Sequence, residues 1–125
     1  MKRRNKIQRN MILTLPWPPT INNYYATVNK RRIVSEQGKR FRKQVSDIVL
    51  VERKNKHVEY LIDLYVDLYP PDKRRRDIDN TLKPLLDAMT HAGVYLDDSQ
   101  IRRMEVTFHD EILSKVNVEL KRIDV

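Results

Sequence analysis

The chain has 125 residues, 40% of them apolar, which suits one domain with a real core and excludes both wholesale disorder and a two-domain enzyme. It carries 25 Lys and Arg against 17 Asp and Glu, a formal net charge of +8, with no cysteine. That excess favours a polyanionic partner such as nucleic acid, and the missing thiols exclude disulfides and thiolate metal sites. The opening residues, MKRRNKIQRN, have no apolar stretch behind their charges and do not read as a secretory signal. No apolar run approaches the roughly 20 residues of a membrane helix. The expectation is a cytoplasmic protein with no membrane partner.

In chain order, residues 1–10 read as a flexible basic tail ahead of a domain spanning 11–125. Met11, Leu13, Leu15 and Trp17 alternate with their neighbours as a short strand does, and LPWPP stops it. Residues 20–34 lack a helical period and read as an irregular excursion or hairpin. Ser35 suits the N-cap of a helix reaching about Lys56, with Phe41, Val45, Ile48 and Val49 toward the core. Its other face carries Lys39, Arg40, Arg42 and Lys43.

The clearest strand runs from Val58 to Leu68, apolar at every second position, and Pro70 and Pro71 end it. DKRRRDIDNTLK follows at residues 72–83, a strand exit where sites collect on loops held by a sheet. A second helix is expected over about Thr81 to Ala92, closed by Gly93. After VYLDDSQ, two alternating runs around Val106 and Val118 read as strands joined in a hairpin through HDEILSK. The sum is an α+β fold: a small two-layer domain of order β-α-β-α-β-β, with two helices on one face of a mixed sheet.

The cations fall in clusters, and those expected to grip DNA are Arg31, Arg32, Lys39, Arg40, Lys73, Arg74, Arg75 and Arg76. The last cluster abuts Asp77 and Asp79. On a helix two such side chains diverge by about 200°, whereas in an extended or turning segment they share a face and can hold one cation. Pro84 suits only a first helical turn, so Asp77 to Asn80 read as pre-helical. The plain alternative is that Asp79 caps the helix and Asp77 pairs with an arginine. Asp97 and Asp98, in a turn before the next strand, could swing toward the first pair or simply shape the turn. The three histidines have no zinc-like spacing. Neither glycine belongs to a phosphate-cradling loop, and no small-molecule organic cofactor is expected.

LPWPP with NNYY, RRRDIDNTLK and AGVYLDDSQ, in that order, resemble the RusA family of Holliday junction resolvases over nearly the whole chain. The resemblance implies a homodimer that binds four-way junction DNA and nicks two opposing strands, using Mg2+ with Mn2+ as a substitute. By motif, Asp77, Asp79 and Asp98 match the family's metal-binding and catalytic acids, and Lys83 its catalytic lysine. The basic extension before Met11 and Lys73, where arginine is common, depart from the pattern. Two rivals are a non-catalytic DNA-binding regulator with a structural acidic turn and a D-x-D nucleotide-sugar transferase. The first has no use for carboxylates that repel phosphate, and the second needs a larger nucleotide-binding domain.

Overall fold

Alternation along the strands selects one face of a sheet for burial, and the helices cover it. The structure, a computed structural model, describes residues 10–124. In chain order the elements are β1 (Met11–Pro16), α1 (Ile21–Tyr24), β2 (Tyr25–Val28), β3 (Arg31–Val34), α2 (Glu36–Val51), β4 (Ile62–Tyr69), α3 (Leu82–His91), a 3-10 turn (Asp98–Gln100), β5 (Ile101–Phe108) and β6 (Lys115–Arg122). Four strands form a sheet of order β1-β6-β4-β5, in which β6 runs antiparallel to both neighbours and β5 parallel to β4. The mixed sheet and the α+β class are as expected. Leu13 and Leu15, the alternate residues Ile62 to Leu68 of β4, and Val116, Val118 and Leu120 join Phe41, Val45 and Val49 of α2 and Leu85, Ala88 and Met89 of α3 in one buried cluster. Because β4 and β5 are parallel, a long crossover must join them, and it carries α3.

Three expectations need correction. β5 and β6 are not a hairpin, since β4 lies between them. His109 N–H bonds Leu68 O at 2.9 Å and Ser114 N–H bonds Pro70 O at 3.1 Å, so the connection rounds the end of β4. The strand expected from Val58 starts only at Ile62. Residues 57 and 58 instead donate to Gly93 and Val94 carbonyls, while the Gln100 amide takes up Val58 O and Tyr60 O at 2.9 Å each. α2 stops at Val51, short of Lys56, because Arg53 adopts φ 57° and the Lys54 N–H closes back on Val49 O. For residues 20–34 the hairpin alternative holds: α1 is followed by the two-stranded β2–β3 hairpin, turned by Asn29 and Lys30 at positive φ. The tail expected over residues 1–10 lies outside the described residues apart from Asn10, whose amide donates to Glu119 at 2.7 Å.

The start of α2 and the close of α3 were legible. Ser35 accepts from Gly38 N–H at 3.0 Å, as an N-cap does. Gly93, at φ 83°, closes α3 with bonds from Gly93 N–H to Thr90 O and from Val94 N–H to Met89 O. Gly38 has another purpose: a Cβ there would strike the Tyr24 carbonyl and lie 2.7 Å from a Val34 methyl. Helix propensity alone favours Ala over Gly by about 1 kcal/mol, but overpacking against backbone costs about 1–3 kcal/mol. Gly38→Ala is therefore expected to destabilise by up to about 2 kcal/mol, read as a lower denaturation midpoint. A gain in stability would show that α1 and α2 separate freely.

Candidate active site

The run after β4 folds onto two other segments. LPWPP ends β1, and the Trp17 ring packs edge-on against Phe108 at 6.2 Å. Ile21 N–H, at the start of α1, donates to Asn80 O at 2.9 Å, which pins the acidic turn beside the proline segment. Between these two segments and the first turns of α2 lies an open groove of about 770 Å³. Its walls include Trp17, Arg40, Arg74, Arg75, Arg76 and Asp77. Low-dielectric walls and clustered cations concentrate positive potential where a phosphate backbone could lie.

The cations are not equivalent. Arg74 and Arg76 both pair with Asp72, at 3.1 and 2.7 Å, and these bonds, Arg76 first, hold the Asp72 carboxyl well below the usual carboxylate range. The Arg76 side chain is 15% exposed and sits 5.8 Å from the Trp17 ring centroid. It braces the loop while forming part of the groove wall. Arg75 and Arg40 line the groove with exposed side chains. Lys73 and Arg31 are exposed outside it, Arg32 stacks 3.9 Å over Tyr25, and Lys39 reaches Glu36 at 3.4 Å.

Asp77 and Asp79 occupy irregular and turn backbone before α3, as the spacing required. Neither makes an ion pair among the described residues, so the arginine-paired acid is Asp72 instead. Asp79 contributes only its carbonyl, which accepts from Leu82 N–H at 3.2 Å, and the helix cap is Thr81. Lys83 lies in the first turn of α3, and its ammonium is 3.5 Å from Asp98 rather than beside Asp79 or Asp87. Asp97 and Asp98 divide their work. Asp97 caps the 3-10 turn with Gln100 in a reciprocal capping box, and hydrogen bonds from Ser99 keep its carboxyl below the usual range. Asp98 is left to face Lys83.

Among the described residues, no three Asp, Glu or His side chains converge closely enough to hold a metal ion. The donors nevertheless have the right chemistry for a hard divalent cation: two exposed carboxylates without ion pairs among the described residues, and a third held by one ammonium.

One constellation was missed in the sequence. Arg42, read as part of the solvated face of α2, turns inward: Nη2 donates to Asp87 at 2.7 Å and Nε to the Tyr24 hydroxyl at 2.8 Å. The Tyr24 hydroxyl in turn donates to Asp87. Arg42 precedes Val49 by seven residues, hence lies only about 20° from it around the helix. That spacing was the available signal, together with a lone acid among the apolar residues of α3. Burial alone would raise the Asp87 carboxyl, but the bonds from Tyr24 and Arg42 outweigh it and hold it low.

The family sequence model described as Endodeoxyribonuclease RusA matches residues 16–121. Crossover junction endodeoxyribonuclease RusA of Escherichia coli (strain K12) is 38% identical over 89 residues, covering 71% of this chain and 74% of that protein. The Enterobacteria phage 82 protein of that name is 37% identical over the same shares. The phage HK97 protein is 36% identical over 74% of this chain and 77% of its own. The match takes in the proline segment, the arginine run and both acidic turns, so this chain belongs to the RusA family of crossover junction endodeoxyribonucleases.

Proposed function

We propose that this crossover junction endodeoxyribonuclease works as a Mg2+-dependent homodimer, cutting opposed strands of a four-way DNA junction with Asp77, Asp79, Lys83 and Asp98. The reaction is hydrolysis: water oxygen bonds to phosphorus, one P–O ester bond breaks, and the proton ends on the leaving oxygen or solvent. The observation that supports this reading best is the meeting of an arginine-walled groove with the D-x-D turn at Asp77. Arg40 and Arg75 suit the gripping of phosphates along the groove, and Arg74 can join them if its exposed pair with Asp72 opens. Asp77, Asp79 and Asp98 would hold Mg2+, or Mn2+ in its place, supplying charge neutralisation and a more acidic bound water. Lys83, with its ammonium already at Asp98, is suited to stabilise negative charge at the reacting phosphate or to hold the water. A twofold dimer would present two such sites symmetrically, as paired nicks require. The DNA substrate makes the cytoplasm the fitting location. Among the described residues, no helix is long and apolar enough to cross a membrane.

A synthetic four-way junction incubated with the protein tests the reading directly. Symmetrical nicks are expected with Mg2+ or Mn2+ and none with excess chelator, while binding persists in both. Binding without nicks under every divalent ion would leave a non-catalytic junction-binding protein.

A further inference from the structure

We propose that Tyr24, Arg42 and Asp87 form a positioning network that fixes the acidic turn and Lys83 relative to the groove, so that they govern the rate of strand cleavage rather than DNA affinity. The inference rests on the nuclease reading above. Tyr24 is fully buried and belongs to the short helix whose first residue, Ile21, bonds Asn80 O at 2.9 Å. Tyr24 O also accepts from Ser35 N–H at 2.9 Å and Ser35 Oγ at 3.1 Å, which ties it to the cap of α2. Its hydroxyl reaches Asp87, one helical turn beyond Lys83. Arg42 closes the triangle from α2, two residues beyond groove-lining Arg40. One residue therefore binds both ends of the problem: the backbone beside Asp79 through its helix, and the helix of Lys83 through its hydroxyl.

Hydrophobic packing alone does not require this arrangement. Three polar groups converge on one carboxylate oxygen of Asp87, at 2.7 Å from Arg42 Nη2 and 3.2 Å from Arg42 Nε, with Tyr24 as the third. Hydrogen bonds of this kind fix rotation and sliding of a helix, which apolar contacts leave loose. None of the three lines the groove, and their polar side-chain groups are taken up by one another, so each is a positioning residue.

The test uses Tyr24→Phe, Asp87→Asn and Arg42→Lys in the full chain. Each is expected to bind a four-way junction within about twofold of wild type in Ca2+, yet to cleave it in Mg2+ roughly 10- to 100-fold more slowly in single turnover. Combined with Lys83→Ala, Asp87→Asn should add little further loss, because it acts through that lysine; an independent effect would multiply instead. A second readout needs no cleavage: amide hydrogen exchange over residues 79–83 should quicken in Tyr24→Phe while β4 keeps its protection. If Asp87→Asn fails to fold, the Tyr24→Phe and Arg42→Lys proteins decide. Wild-type cleavage rates with unchanged exchange, or purely multiplicative losses, would overturn the network's role. A wild-type protein that cuts no junction at all would fault the nuclease reading, and the exchange result would still judge the network.

Discussion

Asp79→Asn is expected to bind junction DNA at least as tightly as wild type and to lose cleavage by roughly 10³-fold. Asp79 is exposed on the turn before α3, and neither its side chain nor that of Asp77 makes an ion pair among the described residues. Its carboxylate is therefore not needed by the fold. The backbone of the turn is held by Asp79 O to Leu82 N–H and by Ile21 N–H to Asn80 O, contacts that asparagine keeps. What the substitution removes is a negative charge beside an arginine-lined groove. If that charge were idle, its loss would strengthen binding and leave cutting alone. If it holds a divalent ion, cutting fails while binding does not. Gel shift and single-turnover cleavage on one preparation separate the two, with thermal melting to confirm that the fold is intact. Asp77→Asn and Asp98→Asn should behave alike, whereas Asp97→Asn should chiefly loosen the 3-10 turn that it caps. Substantial residual nicking by Asp79→Asn would remove that residue from the site.

Period-based features of the fold were readable because each is decided within a few residues. The alternating burial of β4 and the apolar stripe of α2 follow directly from side-chain direction. Strand neighbours are not so decided. Six residues between β5 and β6 would serve a hairpin, and only the strand pairing and the bonds to Leu68 and Pro70 show that the chain passes the end of β4 instead. The site divides in the same way. Pro84 and the D-x-D spacing placed Asp77 and Asp79 on non-helical backbone, a local property. The pairing of Lys83 with Asp98 depends on how the crossover returns, and the buried triangle of Tyr24, Arg42 and Asp87 joins three separate elements. Nor could the sequence tell which member of RRR is free, because that depends on the reach of Asp72.

That inequality shapes the second large effect, the dependence of junction binding on salt. Each neutralised phosphate contributes about −0.9 to the slope of log K against log salt, so six contacts give about −5 and a loss near 10³-fold between 50 and 200 mM. Exposed Arg31, Lys39, Arg40, Lys73, Arg74 and Arg75 could supply that number in one protomer, and a dimer has twice as many. Arg76 should not be counted, since it is 15% exposed and already paired with Asp72 at 2.7 Å. Arg75→Ala is accordingly expected to weaken binding to every DNA and make the slope shallower by about 1 for each protomer that contacts it. Arg76→Ala should leave the slope nearly unchanged. Its cost should fall on the loop: with its stronger partner gone, Asp72 keeps only Arg74, and the Trp17 face is uncovered. The expected signature is a lower melting temperature and slower cleavage at saturating DNA. Potassium chloride titrations of the three proteins on one junction measure the slopes directly. Equal changes for Arg75→Ala and Arg76→Ala would mean that the Asp72 pair opens when DNA binds. A wild-type slope near −1 would mean that only about one phosphate is neutralised and that the arginine run does not grip the backbone.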